Sequence, residues 1–390
     1  MYNKEFKSEL SLRIEKIRKS MQGVGIDACL IAGNSNIYYT SGRIFRGYVY
    51  IPLNGEATYY VIRPFELKGD DVVYIRKPEQ IPDMLVKAGI ELPKRLGLEL
   101  DVLTYSDVMR LKGVFADAEI VNTSVMLRQC RMVKTDYEIE KMRYCGQCQA
   151  RAYKKMAASY NPGMTDVEFQ IEGEKILRQE GSLGFYRTSG SLMEIFMGSV
   201  LNGANADIPT PYDFAVGGGG VNQALPVGAN GEVIKQGTTV MVDMNGNFNG
   251  YQSDMTRVWS LGEISELAMK AHEVSRNILR ELEKMALPGV GVADLYNKAC
   301  EIVEANGLSD YFMGYTQKAA FIGHGVGIEL NELPVLTPRS KDVLQINMTI
   351  AIEPKFVIPG VGAVGVENTY VVKENGLENI TVFPEEISEL

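Results

Sequence analysis

Four carboxylates and one imidazole stand inside stretches that otherwise read as buried β-strand, and a folded chain has to compensate such groups to bury them. Asp243 follows Thr239-Val240-Met241-Val242, Glu353 follows Ile350-Ala351-Ile352, and Glu367 sits between Ala363-Val364-Gly365-Val366 and Asn368-Thr369. Asp254 lies in Tyr251-Gln252-Ser253-Asp254-Met255-Thr256, and His324 in Phe321-Ile322-Gly323-His324-Gly325-Val326-Gly327. Burying an unpaired carboxylate costs several kcal/mol even after relaxation. Most of these acids have no adjacent lysine or arginine, so charge balance predicts two divalent cations, whose four positive charges match four carboxylates while the imidazole completes a shell. Oxygen-rich ligands with one imidazole suit manganese, iron(II), cobalt or zinc, with manganese favoured, and disfavour soft copper(I). Two ions bridged by carboxylates, roughly 3.5 to 4 Å apart, can hold a hydroxide and polarise a carbonyl, which predicts hydrolysis. Asn245-Gly246 and Asn249-Gly250 lie between Asp243 and Asp254, as in two strands joined around turns, so the two aspartates are expected to face one another.

The rest of the composition narrows the class. With roughly 100 to 200 residues per domain, a chain of 390 predicts two or three domains. Hydrophobic content of 45%, charged content of 23% and no apolar run near the roughly 20 residues of a membrane helix predict a soluble protein with no membrane partner. The opening MYNKEFKSELSLRIEKIRKS lacks the apolar core of a secretory signal, and a cytoplasmic location is expected. Forty basic and forty-nine acidic residues give a net charge of −9 without a lysine or arginine block, which argues against nucleic acid. The five cysteines are odd in number and scattered, as suits a reducing compartment.

Phe6, Leu10, Ile14, Ile17 and Met21 recur at helical spacing and predict an amphipathic helix over residues 5–22. After it IDACLIAG, YVYIPL, ATYYVI, DVVYI and RLGLEL read as short strands, with helices near 78–88 and 105–111. From residue 135 two long helices are expected, 135–159 and 165–179, split by Asn161-Pro162-Gly163. A glycine- and strand-rich stretch, two more helices at 265–285 and 293–306, and a second strand-rich run follow. The order predicts a small domain over 1–130 and a larger α+β domain over 131–390 made of two related halves.

In order along the chain, Val242-Asp243-Met244-Asn245-Gly246, Gly250-Tyr251-Gln252-Ser253-Asp254-Met255-Thr256-Arg257, Gly323-His324-Gly325-Val326-Gly327, Ile352-Glu353-Pro354 and Val366-Glu367-Asn368-Thr369 resemble the five metal-ligand segments of the pita-bread metallopeptidase family. The resemblance implies that Asp243, Asp254, His324, Glu353 and Glu367 bind two metal ions, with Asp254 and Glu367 bridging and Glu353 also handling the proton of the attacking water. Gly25-Ile26-Asp27-Ala28, Asn36-Ile37-Tyr38-Tyr39-Thr40-Ser41-Gly42 and Leu127-Arg128 to Arg143 are similar to the Xaa-Pro dipeptidase, Xaa-Pro aminopeptidase and creatinase branch. That implies a creatinase-type α/β domain ahead of a pita-bread catalytic domain with pseudo-twofold halves, a homodimer, and a small peptide, amide or carboxylate as substrate.

Three positions depart from that branch. Its peptidases carry a histidine seven residues after the ligand histidine, where it stabilises the tetrahedral intermediate; Asn331 stands there and can donate a hydrogen bond but no proton. Val227, after Pro226, replaces an upstream histidine, and Gly365 stands where an arginine is usual. The first reading is a hydrolase in which metal-bound hydroxide attacks an amide carbonyl. These replacements open a second, a metal hydrolase or lyase acting on a small non-peptide substrate, and a third, a silent metal-binding scaffold. Arg43, Arg46, Tyr186 and Arg187 are candidate substrate contacts. Gly217 to Gly220 is expected to form a close-approach loop beside the cleft, Cys145-Gly146-Gln147-Cys148 to be helix, His272 to be solvated and Trp259 to be core.

Overall fold

A computed structural model describes residues 4–188, 195 and 197–390. The chain divides into two compact units, Met1–Arg131 and Met132–Leu390.

In the first unit α1 (Lys4–Val24) buries Leu10, Ile14, Ile17 and Met21, the stripe read from their spacing. The unit continues through β1 (Ala28–Ile31), α2 (Asn34–Ser41), β2 (Arg46–Pro52), β3 (Thr58–Arg63), β4 (Val72–Tyr74), α3 (Ile81–Lys87), β5 (Arg95–Leu98), α4 (Tyr105–Val114), β6 (Glu119–Asn122) and α5 (Ser124–Met132). Its sheet has the order β4-β3-β2-β1-β5-β6, with β2 antiparallel to both neighbours and β1, β5 and β6 parallel. Buried Ala28, Leu30, Leu96 and Leu98 pack there against Ile81, Leu85 and Leu111 of the helices. Helix α2 was not legible from hydropathy; it ends where Gly42 adopts φ 69° and its N–H caps the Tyr38 carbonyl.

The second unit opens with α6 (Asp136–Met156) and α7 (Asp166–Gln179). Each starts at a capping box, Thr135 with Glu138 and Thr165 with Glu168, in which hydroxyl and carboxylate satisfy the free N–H groups of the first turn. Strands β7 (Gly198–Asn202), β8 (Thr238–Asn247) and β9 (Gln252–Leu261) follow, then α8 (Glu266–Met285) and α9 (Val292–Ala305). The chain closes with β10 (Gly323–Gly325), β11 (Glu332–Val335), β12 (Thr349–Ile352), β13 (Lys355–Ile358), β14 (Gly362–Gly365), β15 (Asn368–Lys373), β16 (Gly376–Asn379) and β17 (Ser388–Glu389). The sheets run β17-β9-β8-β7 and β11-β10-β12-β15-β16, with β13-β14 as a separate hairpin. Two helices and a sheet thus occur twice in this α+β unit, the pita-bread arrangement with two related halves. Trp259 is core; His272, read as solvated, is 1% exposed, with Nε2 2.7 Å from the Glu385 carbonyl oxygen. On α8 it falls on the face that also buries Ala268, Ser275 and Leu279, so periodicity outweighs its polar neighbours.

Candidate metal centre

Strand geometry gathers the five residues. Asp243 lies on β8 and Asp254 on β9, in a register pairing Asp243 with Thr256 and Asn245 with Asp254. The two aspartates are therefore diagonal neighbours on one face of adjacent strands, an offset set by the closure of the hairpin at Asn247 and Gln252. His324 is the middle residue of β10, Glu353 directly follows β12, and Glu367 directly precedes β15. Strands β10, β12 and β15 are adjacent, which brings the three to one place.

Backbone contacts fix the positions. Thr369 Oγ1 accepts from the Asp254 N–H and donates to the Asp254 carbonyl, at 2.8 Å each. The Glu353 N–H donates to the Ile322 carbonyl at 2.8 Å. Thr256 donates to Glu367 Oε2 at 2.7 Å, while Arg257, 1% exposed, donates to the Glu367 carbonyl at 2.8 Å. Thr256 and Arg257 both lie on β9, two and three positions after Asp254.

Two ligand groups result. Asp254, His324 and Glu367 offer ligand atoms all within 4.8 Å of one another, and so do Asp243, Glu353 and Glu367. His324 Nε2 is 3.7 Å from Asp254 Oδ2 and 3.6 Å from Glu353 Oε1. Glu367 Oε1 is buried without a hydrogen-bond partner among the described residues, a polar atom left for a cation. Donor chemistry and spacing at the His324 group fit a divalent ion.

The second group holds a residue that the sequence reading passed over. Lys355 Nζ lies 2.7 Å from Asp243 Oδ2, 2.7 Å from Glu353 Oε2 and 3.2 Å from Glu367 Oε2, with its side chain fully buried. The available signal was Glu353-Pro354-Lys355-Phe356-Val357-Ile358, a lone lysine in a strand-like run two positions from a candidate ligand. The charge balance drawn from the sequence omitted this cation.

Burial, then the carboxylates of Glu367, Asp243 and Glu353, raise the Asp254 carboxyl well above its ordinary range. Burial, followed by Glu353, pushes Glu367 up to about 8 against the opposing pull of Lys355. Burial disfavours the Lys355 ammonium, but Asp243, Glu353 and Glu367 override it and hold the group protonated well above the usual lysine range. A crowd of carboxylates in a dry site keeps protons until a cation replaces them.

The cluster lies at one side of a cleft of about 800 Å³. Tyr186, Asp243, Asp254, His324, Asn331 and Glu353 line its polar part, and Ile208, Pro209, Pro211, Tyr212, Phe214 and Phe321 its apolar wall. Gly217 lines it too, as expected of the glycine-rich loop, and any Cβ there would lie 2.0 Å from Thr210 Cγ2. Burial and then the four carboxylates push the Tyr186 hydroxyl well above its ordinary value, so it stays a neutral donor. Arg187, offered as a cleft residue, is not among the lining residues; its guanidinium carbon packs 5.0 Å over the Phe185 ring, and its carbonyl accepts from Leu330 N. Val227 is buried outside the lining. Arg43 and Arg46 belong to the first unit, Arg43 half-buried after α2 and Arg46 exposed at the start of β2.

Comparison with known proteins agrees with this geometry. Residues 140–374 match the model of metallopeptidase family M24, and residues 13–133 that of the creatinase/prolidase N-terminal domain. The Xaa-Pro dipeptidase of Pyrococcus horikoshii is 30% identical over 373 residues, covering 95% of this chain and 96% of its own. That of Pyrococcus furiosus is 28% identical over 376 residues, covering 95% and 97%. Among solved structures, an Xaa-Pro dipeptidase from Bacillus anthracis superposes with a TM-score of 0.81 at 25% identity, covering 98% of this chain and 100% of that one. The chain therefore belongs to metallopeptidase family M24, as a metallohydrolase with a creatinase/prolidase N-terminal domain ahead of its catalytic domain.

Proposed function

We propose that the chain is a divalent-cation-dependent hydrolase of short peptides whose substrates are of the Xaa-Pro class. The observation that carries this reading is the convergence of Asp254, His324 and Glu367 within 4.8 Å, at the side of a cleft large enough for a small ligand. Relatives named as Xaa-Pro dipeptidases over nearly the whole chain support the substrate class and do not favour the non-peptide or silent readings.

Asp254, His324 and Glu367 would hold the cation, which when bound supplies Lewis acidity to the scissile carbonyl and acidity to water. Glu353 is 4% exposed, lines the cleft, and has one carboxylate oxygen tied to Lys355. It takes the proton of the attacking water and returns it to the leaving amine. The side-chain amide of Asn331 and the neutral hydroxyl of Tyr186 donate to the oxygen on which charge develops. The apolar wall of Ile208, Pro209, Pro211, Tyr212 and Phe214 takes the uncharged side chain of the substrate. Manganese is the favoured ion. A reducing, cytoplasmic setting is consistent with five free cysteines, and among the described residues no helix is long and apolar enough to cross a membrane. A homodimer is part of the proposal.

The test is hydrolysis of a panel of Xaa-Pro dipeptides after removal of metal and reconstitution with Mn(II). Turnover by the wild type, lost on chelation and in Asp254→Ala, is expected. A wild type inert across the panel with manganese, cobalt, iron(II) and zinc overturns the reading.

A further inference from the structure

The geometry points to Lys355 as a built-in cation that occupies one of the two cation positions of this cluster, so that the site takes one divalent ion per chain, in the group formed by Asp254, His324 and Glu367. This rests on the reading of the cluster as a metal site and departs from the two ions that carboxylate counting predicts.

The ammonium nitrogen already sits among the second ligand group, 2.7 Å from Asp243 Oδ2, 2.7 Å from Glu353 Oε2 and 3.2 Å from Glu367 Oε2. Its three N–H donors match those three acceptors, and the side chain is fully buried. A metal bound by the same oxygens would need them about 2.0 to 2.2 Å away and would have to share its volume with Nζ. Lysine is a compact point charge, and here it stands where an ion would. Counted by charge, one ammonium and one divalent ion bring three positive charges to four carboxylates; adding a second divalent ion would overshoot them.

The backbone is built around the lysine. Lys355 pairs with Gly365 across the β13-β14 hairpin. A Cβ at Gly365 would come within 2.6 Å of the Pro354 carbonyl oxygen, 2.9 Å of Lys355 Cα and 3.4 Å of Lys355 Cγ. Only a residue without a side chain lets the lysine strand approach this closely, and φ of 140° at Gly365 suits glycine as well. From the other side, the Met313 N–H donates to the Lys355 carbonyl at 2.8 Å. The residue is therefore held along its length, with its head group aimed at the carboxylates.

The first ligand group keeps room. Lys355 touches neither Asp254 nor His324 within ion-pair distance, and Glu367 Oε1 has no hydrogen-bond partner among the described residues, although Oε2 binds Lys355 and Thr256. Glu367 thus divides its two oxygens between the internal cation and an external one. Lys355 acts as a positioning residue: it neutralises and orients Asp243 and Glu353 as a second ion otherwise would.

Metal content decides the matter without reference to turnover. Full-length protein is stripped with chelator, titrated with Mn(II) alone and assayed by elemental analysis. Wild type should saturate at one ion per chain, Lys355→Met should rise to two, and Asp254→Ala should fall to none. Electron paramagnetic resonance of the wild type needs no variant: an isolated six-line Mn(II) signal is expected at saturation. A spin-coupled pair and two ions per wild-type chain overturn the proposal, as does a well-folded Lys355→Met that still takes one. If the wild type holds one ion yet cleaves no Xaa-Pro dipeptide, the functional reading fails and this one stands. If it cleaves them with two ions, the reverse holds.

Discussion

Lys134 Nζ and Glu332 Oε2 meet at 2.9 Å with both side chains 1% exposed, tying the segment before α6 to the start of β11, next to Asn331. The other Glu332 oxygen accepts from the N–H groups of Ile328 and Glu329, at 3.1 and 3.2 Å. Lys134→Met removes the buried ammonium from that carboxylate and should lower stability by about 3 to 5 kcal/mol. Urea unfolding of wild type and variant checks this; coincident midpoints would show that the pair contributes nothing.

Gly365→Ala places a Cβ 2.6 Å from one backbone atom and 2.9 Å from another, so the β13-β14 hairpin has to open. Overpacking of this kind costs about 1 to 3 kcal/mol. The same unfolding measurement applies, and a variant as stable as wild type would mean that the hairpin yields without cost.

The metal-free protein should lose stability as pH rises. Glu367, pushed up to about 8 in the folded chain by burial and by neighbouring Glu353, binds its proton more tightly than in the unfolded chain, where an ordinary carboxylate value near 4.3 applies. Its contribution is fully present below that unfolded value and is lost as pH rises through about 8. Binding of Mn(II) displaces the proton, so affinity should rise over the same window. Thermal melts of chelated protein at pH 5, 7 and 9, with Glu367→Gln flattening the trend, check the sign. Rising stability across that range would contradict it.

Asn331 lines the cleft and offers an amide donor, so Asn331→Ala should lower kcat by about 100-fold to 1000-fold, the cost of one oxyanion donor. KM should move far less, because the bond strengthens only as charge develops. Asn331→His supplies a titratable proton and should add a pH-dependent limb to the rate profile. A rise in KM at unchanged kcat in Asn331→Ala would instead place the amide in ground-state binding.

Regular periodicity and placement of acids were legible; long-range partners were not. The stripe of α1 and the break at Asn161-Pro162-Gly163 are local signals, and α1, α6 and α7 lie where those signals put them. Asp243, Asp254, His324, Glu353 and Glu367 stood out because charge in an apolar strand is costly, and the sheets bring all five together. Lys355 obeys the same rule, yet a lysine in a strand reads as solvent-facing until the cross-strand glycine at 365 and the three carboxylates are seen around it. The offset of Asp243 from Asp254 depends on where the hairpin closes, one of two Asn-Gly turns that hydropathy does not rank. His272 misled because its immediate neighbours are polar, whereas its burial is set by residues a helical turn away.

The most direct measurement is an anomalous difference map from crystals of the full chain grown with Mn(II). One strong peak per chain is expected, within coordination distance of Asp254, His324 and Glu367, with Lys355 still bonded to Asp243 and Glu353. A cluster without a peak, its acids turned apart into solvent, would contradict it.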